Sequence, residues 1–221
     1  RRELNWMVGL GLMSATLGLA FTGYLLPWDQ RAYWAITVSA NLADHLPVLG
    51  QGAKQLFLGG AGVGQATLLR FYLLHVALLP TGLLLLLALH LWRIRRDGGL
   101  AVDPETIAVG EPVSAWPHLV LREAILILVV LAGFCLLAAL VDAPLGGLPD
   151  LHHPDNPEKA PWYFLWLQEM VSYSAPVGGV VYPGLLLGLL VAIPFLDRED
   201  RAVGRWFGPG RVRLAAAVAF G

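Results

Sequence analysis

The chain has 221 residues, of which 57% are hydrophobic and 14% charged, and its formal net charge is -1. Soluble domains usually carry about 25% charged residues, so this composition excludes an ordinary soluble domain. The near-neutral charge also argues against nucleic acid as a partner, because nucleic acids are polyanions.

Four apolar runs are long enough to cross a bilayer, which takes ~20 mostly apolar residues in a helix. Helices are expected there, because a helix satisfies its own backbone hydrogen bonds in lipid. The sequence predicts an all-α integral membrane protein: a transmembrane helical bundle of four full spans, plus the start of a fifth near Val212, with short interfacial helices. The predicted spans are Leu4–Gly23, Phe71–Trp92, Leu119–Val141 and Val177–Leu196.

The first predicted span carries two glycines, Gly9 and Gly23, 14 residues apart. At this spacing they lie within ~40° of each other on a helical wheel. Glycine lets a flat ligand approach the backbone closely, although glycines are also common in membrane helices for packing alone. After Pro27 the chain enters a long loop, residues 28–69, whose aromatic side chains suit short helices at the membrane interface.

The second predicted span carries two histidines, His75 and His90, 15 residues apart. They are about 22 Å apart along a helix axis and within ~60° of each other around it. Neutral imidazole is a common ligand of haem iron, and ionisable groups inside membranes are costly and usually functional. The pair suggests two haems in series across the bilayer. The alternative is that each ring simply hydrogen-bonds a neighbouring hydroxyl or carbonyl.

The distribution of basic residues orients the predicted spans. Eleven of the 15 Lys and Arg residues fall on one side, which identifies that side as cytoplasmic. His75 then lies near the outer face and His90 near the cytoplasmic face. Glycine, proline and charged residues predict a linker at 97–117, between a histidine-bearing domain at 1–96 and a C-terminal domain at 118–221. The four basic residues on the outer side are Arg31, Lys54, Arg70 and Lys159.

Several motifs resemble the cytochrome b subunit of quinol:cytochrome c oxidoreductases, from that family's third transmembrane helix onward. They are GYLLPWDQRAYWAITV (Gly23–Val38), LGGAGVGQATLLRFYLLH (Leu58–His75) and the His75/His90 pair. Further along, GEPVSAWP, APWYFLWLQE and PFLDREDRAVGRWFGP resemble subunit IV, which follows the four-helix haem core in cytochrome b6f complexes. The histidine spacing resembles the b6 branch, because bc1 proteins have 14 residues there.

The resemblance implies two haem b groups, with His75 as a ligand of the outer haem iron and His90 of the inner one. Gly9 and Gly23, matched in spacing to the histidine pair, are expected to give these haems room beside the first span. The family holds each haem between one histidine of its second helix and one of its fourth, so the other axial ligands are expected from an upstream helix or another chain. Arg70 is expected either to neutralise an outer haem propionate or to anchor the span at the interface.

The resemblance also implies a quinol site at the outer face, between the end of the first span and Pro161–Phe164. We expect Tyr24 and Trp34 to line this pocket, together with Pro161 and Trp162. An interfacial belt of aromatic residues is the alternative explanation for these side chains.

In the family, a Pro-Glu-Trp-Tyr element supplies a glutamate that accepts a proton from quinol as general base. Here proline replaces that glutamate. Glu169, seven residues after Trp162 and so expected on the same helical face, is the first substitute; its alternative role is a structural ion pair. Glu158 is the second, or an exposed loop charge, and Tyr163 completes the candidate catalytic residues. The four residues at the element are Ala160, Pro161, Trp162 and Tyr163.

The resemblance therefore implies a haem b subunit that oxidises quinol outside and delivers electrons to a quinone site near the cytoplasm, coupled to proton translocation. The expected partners are a Rieske-type iron–sulfur protein, a c-type cytochrome, quinone and membrane lipid, in a homodimeric complex of a bacterial-type cytoplasmic membrane. One alternative is a haemless transporter or channel that relays protons through its histidines, and Pro80 inside a span is compatible with it. Another is a haemless structural subunit.

Overall fold

A computed structural model describes residues 2–97, 114–144, 146–153 and 159–196. Every regular element within these ranges is helical, which confirms the all-α prediction. Four helices there are long and apolar enough to cross a membrane, and each overlaps one of the predicted spans. The expected start of a fifth span, near Val212, lies outside the described residues.

The helices are numbered here in chain order, and α1, α4, α5 and α7 are the candidate spans. Three of these spans contain one π-helical turn each, at Leu74–Leu78, Ala115–Leu119 and Val177–Val181. A single 3-10 turn, Trp162–Phe164, precedes α6. The bounds are α1 Arg2–Leu25, α2 Gln30–Asp44, α3 Gly50–Leu58, α4 Gln65–Arg96, α5 Ala115–Leu140, α6 Leu165–Tyr173 and α7 Val177–Leu196.

The described residues fall into two compact units. The first contains α1 to α4, residues 146–153, α6 and α7, and the second contains α5. The division into domains at 1–96, 97–117 and 118–221 stays a prediction, as does the subunit IV-like character of the C-terminal part.

Local signals explain the short helices between α1 and α4. Asp29 caps α2, because its carboxylate accepts a hydrogen bond from the backbone N–H of Ala32 at 2.9 Å. Gly59 ends α3 with a φ of 74°, a left-handed conformation that glycine adopts without strain. Both helices lie within the loop for which the aromatic pattern predicted short helices.

The π-helical turn of α4 places His75. Pro80 has no N–H and so cannot donate to the carbonyl of Val76. Just before it the hydrogen-bond ladder widens, because the N–H of Leu79 bonds the carbonyl of Leu74, five residues back. Turns of this kind are frequent at functional sites.

The buried core of the first unit lies next to α2 and α3, at the end of the α1–α4 pair that holds His75; this end is called the outer end here, after the orientation that the sequence predicts, and the end that holds His90 is called the inner end. The rings of Phe21, Phe57 and Phe71 meet there, with centroids 5.1 to 6.1 Å apart. Along the rest of the spans most apolar side chains are exposed within the chain, as expected for helices that face lipid or other proteins. The buried core residues are Leu25, Ile36, Ala40, Leu58 and Phe71.

Candidate functional site

His75 lies against two consecutive residues of α1, Thr22 and Gly23. Its Nδ1 is 3.0 Å from the hydroxyl oxygen of Thr22, which is 3% exposed. A Cβ added to Gly23 would lie 2.6 Å from Cε1 of His75 and 3.3 Å from each ring nitrogen. Any larger residue would force the ring away, so glycine is what lets α4 bring this imidazole so near the backbone of α1.

His90 lies beside Gly9 at the other end of the same two helices. A Cβ added to Gly9 would lie 3.6 Å from Cε1 of His90, which is an ordinary van der Waals contact. Within the described residues, the buried Nδ1 of His90 has no hydrogen-bond partner. The same is true of the buried Oδ1 of Asn5, one helical turn before Gly9.

The structure thus brings each of the two singled-out glycines beside one of the two singled-out histidines. His75 also meets a hydroxyl, as the alternative interpretation of the pair required. That contact uses Nδ1 and leaves Nε2 for another ligand. The role of these four residues in haem binding stays a prediction.

The donor set fits haem. Each imidazole would offer a ring nitrogen to haem iron. Within the part of the chain that the structure describes, no three His, Cys, Asp or Glu side chains converge on a position that could hold a bare metal ion.

Arg70 belongs to α4, and its side chain reaches the C-terminal end of α3. Its guanidinium donates to the backbone carbonyls of Gln55, at 3.4 Å, and of Leu56. The Arg70 side chain also fills the space beside Gly59, because a Cβ added to Gly59 would lie 2.6 Å from Nε of Arg70. A cation among the last carbonyls of α3 offsets the negative end of that helix dipole. Both expected roles, with a haem propionate and as an interface anchor, stay predictions.

The two segments expected around the quinol site are in contact. The ring of Phe164 lies edge-on to that of Phe21 in α1, with centroids 6.0 Å apart. Tyr24, three residues after Phe21, packs partly buried against the core. Pro161 and Trp162 precede Phe164 in the chain, by three and two residues. Their role in quinol binding stays a prediction.

The candidate catalytic residues are only partly placed. Glu169 is exposed on α6. Trp162 precedes that helix, in the 3-10 turn, and α6 begins at Leu165, so the shared face of Trp162 and Glu169 stays a prediction. Tyr163 packs edge-on to Trp162, with centroids 5.5 Å apart. Glu158 lies outside the described residues.

A feature that the sequence did not predict is a strap formed by residues 146–153, here called the outer strap. Asp29 accepts a hydrogen bond from the N–H of Gly146 at 3.0 Å. The side chain of Gln30 accepts from the N–H of Asp150 at 2.6 Å and donates to the carbonyl of His153 at 2.8 Å. Two polar residues directly after Pro27 and Trp28 therefore fasten a distant loop to the start of α2.

Asp150 organises the outer strap itself. Its carboxylate accepts hydrogen bonds from the backbone N–H of His152, at 2.8 Å, and from the His153 side chain, at 3.1 Å. These bonds favour the charged form, so they lower the pKa of Asp150 from its ordinary value of 3.8. The indole N–H of Trp34 donates to the Asp150 carbonyl at 3.2 Å, which turns this ring towards the strap.

These observations define a class: an all-helical membrane protein with an imidazole near each end of one span, facing glycines of its neighbour. Comparison with known proteins agrees. Residues 1–147 match the family described as Cytochrome b(N-terminal)/b6/petB. The chain belongs to this family.

Individual relatives support the assignment. The chain is 34% identical over 236 residues to cytochrome b of Rhodobacter capsulatus, an alignment that covers 97% of this chain and 54% of that protein. It is 44% identical over 97 residues to cytochrome b6 of a Synechococcus species, covering 44% of this chain and 45% of that one. A solved structure titled "Hyperthermophilic respiratory Complex III" matches with a TM-score of 0.68 and 27% identity, over 90% of this chain and 55% of that chain. The chain thus spans about half the length of these relatives.

Proposed function

We propose that this chain is the haem-bearing part of a complex that oxidises quinol at the outer face and delivers electrons to a quinone site near the cytoplasm, coupled to proton translocation. Family membership and four candidate spans support a role in membrane electron transfer. Among the contacts of the site, the pairing of His75 with Gly23 and of His90 with Gly9 carries the proposal.

In this proposal α4 supplies one imidazole for each of two haem b groups, His75 for the outer and His90 for the inner. Haem b supplies one-electron transfer when bound, with a potential set by its axial ligands and their hydrogen bonds. Gly23 and Gly9 keep α1 close to the two rings without steric conflict. A second protein ligand would complete each haem site.

At the outer face we assign quinol binding to the region around Tyr24 and Pro161–Phe164. The contact between Phe21 and Phe164 supports this, because it joins the two segments at the outer end of α1. Glu169 is proposed to accept the proton, since it is exposed on α6 and free to turn towards a ligand. A general base of this kind contributes ~10²–10⁴-fold to a proton-transfer step.

The partners follow from the same proposal. A Rieske-type iron–sulfur protein and a c-type cytochrome would take the second electron of quinol, in a homodimeric complex of a bacterial cytoplasmic membrane. Spans with few buried positions within the chain support the presence of lipid or further proteins around it.

The test uses the full-length protein in its own membranes, with haem counted per chain and reduced-minus-oxidised spectra recorded after quinol is added. We expect two b-type haems that quinol reduces, with one lost in His75→Leu and the other in His90→Leu. His118→Leu, a histidine at the start of the span α5, is the matched control and should keep both. A wild-type protein without b-type absorbance would contradict the proposal and favour the haemless transporter.

A further inference from the structure

We infer that Thr22 is a positioning residue for the outer haem ligand: its hydroxyl fixes the tautomer and the orientation of the His75 ring so that Nε2 carries the free lone pair. The inference rests on the proposed function, because it concerns how this chain presents its imidazole to iron. No motif of the sequence points to Thr22, which is one hydroxyl within a long apolar helix.

The hydrogen bonds of the Thr22 hydroxyl set its direction. The oxygen lies 2.7 Å from the carbonyl oxygen of Gly18, 3.3 Å from that of Leu19 and 3.0 Å from Nδ1 of His75. A hydroxyl has one hydrogen, and carbonyls only accept. If that hydrogen pointed at Nδ1, two oxygens would face each other at 2.7 Å with no hydrogen between them.

The arrangement with all bonds satisfied is therefore a relay. Thr22 donates to Gly18, and the N–H at Nδ1 of His75 donates to Thr22. A hydroxyl that donates to a carbonyl is polarised into a better acceptor, which strengthens the second bond. The ring is then neutral with its lone pair on Nε2, the form in which imidazole binds a metal.

The same contact fixes which way the ring faces. Turning the imidazole by half a turn about its Cβ–Cγ bond would put a C–H where Nδ1 stands and leave the buried Thr22 oxygen without its donor. Loss of a hydrogen bond to a buried group disfavours that orientation of the ring. Gly23 bounds the adjoining Cε1 edge of the ring. Thr22 therefore contacts the imidazole at Nδ1 and Gly23 lies nearest its Cε1, whereas Nε2 takes no part in the contact with Thr22.

The inner site offers a comparison inside the same helix. The residue before Gly9 is Val8, in the place that Thr22 takes before Gly23. Val8 is buried and cannot accept a hydrogen bond, and Nδ1 of His90 has no partner among the described residues. Hydrogen bonds to a ligand imidazole raise its basicity and change affinity or activity by about 10–100-fold. A more basic imidazole favours ferric over ferrous iron, so Thr22 is expected to lower the outer potential.

The experiment is a redox titration and an EPR spectrum of the outer haem in the full-length protein in its own membranes. The variants are Thr22→Val, which keeps shape and removes the hydroxyl, and Thr22→Ser, which keeps the hydroxyl. Thr16→Val is the matched control, since among the described residues its hydroxyl bonds only the carbonyl of Leu12 within α1, at 2.9 Å.

At the potential where the wild-type outer haem is half reduced, we expect Thr22→Val to lower its ferric-to-ferrous ratio by about threefold or more, with altered EPR g values. Thr22→Ser and Thr16→Val should match the wild type. Loss of the outer haem in Thr22→Val with retention in Thr22→Ser would also support the inference.

Two results would overturn the inference alone. One is a bound outer haem with unchanged titration and EPR spectrum in Thr22→Val. The other is the same shift or haem loss in Thr22→Val and Thr22→Ser, which would mean that packing and not the hydroxyl matters. Absence of b-type haem from the wild type would instead overturn the proposed function, and this inference with it.

Discussion

At both ends of the α1–α4 pair a histidine of α4 faces a glycine of α1, but the outer and inner ends differ in the hydrogen bonding of the imidazole. At the outer end His75 has a hydrogen-bond partner in Thr22 and lies within 2.6 Å of a Cβ added to Gly23. At the inner end His90 meets Gly9 with ordinary spacing, and its Nδ1 is buried without a partner among the described residues.

The difference teaches that the spacing of glycines on α1 and of histidines on α4 brings each imidazole to a glycine, whereas the hydrogen-bond partner of each ring depends on the side chain beside that glycine. The outer end also has α2, α3 and the Phe21–Phe57–Phe71 cluster around it. A buried polar atom without a partner costs free energy. Under the proposed function, we therefore expect the rest of the complex to supply partners for His90.

The largest difference in stability between the two ends should appear when an aromatic residue near each end of α4 is replaced by alanine. Phe71 is 2% exposed in the outer core, whereas Trp92 is 54% exposed at the inner end. Phe71→Ala should lower the free energy of unfolding by about 3–5 kcal/mol, because it leaves a cavity. Trp92→Ala should cost about 1 kcal/mol or less, the scale of its contact with Arg96. Unfolding in mixed detergents, followed by circular dichroism, measures both, and equal costs would contradict a core at the outer end.

The next effect concerns the two glycines. Gly23→Ala places a Cβ 2.6 Å from the His75 ring and should destabilise the protein by about 1–3 kcal/mol while disturbing the outer haem. Gly9→Ala adds a Cβ at ordinary contact distance, so we expect a change within about 0.5 kcal/mol and an intact inner haem. Both variants are measured by the same unfolding assay and by the amount of haem bound per chain. The account of the outer end fails if Gly9→Ala is the more damaging change.

The smallest effect is a pH dependence confined to the outer strap. Because hydrogen bonds lower the pKa of Asp150 below 3.8, its carboxylate stabilises the strap fully above that ordinary value. The contribution is lost as the pH falls through the lowered pKa. Hydrogen exchange of residues 146–153, corrected for intrinsic rates, should be steady down to about pH 4 and rise below it, with exchange around His90 unaffected. Asp150→Asn, the control, should show no such step; a step at the same pH in both proteins would contradict this assignment.

The parts of the fold that follow one physical rule could be predicted from the sequence. Apolar length gave the four spans, because a helix in lipid needs a fixed number of apolar residues. The 14-residue glycine spacing and 15-residue histidine spacing each keep nearly to one helix face, and the structure brings Gly9 to His90 and Gly23 to His75.

The parts that depend on which helices face each other could not be predicted. Thr22 becomes informative only when α4 lies against α1, and the bonds of Gln30 to the outer strap join residues 120 or more positions apart. The relation of Glu169 to Trp162 also depends on how two elements join, because Trp162 lies in the 3-10 turn and Glu169 in α6, which begins at Leu165.

The central claim is that α4 donates an iron-binding nitrogen at two depths of the membrane, and a density map of the intact assembly tests it most directly. The account predicts a porphyrin at each end of α4, with its iron bonded to Nε2 of His75 at the outer one and to a ring nitrogen of His90 at the inner one. Imidazoles that contact only protein or lipid, with no porphyrin beside them, would contradict it.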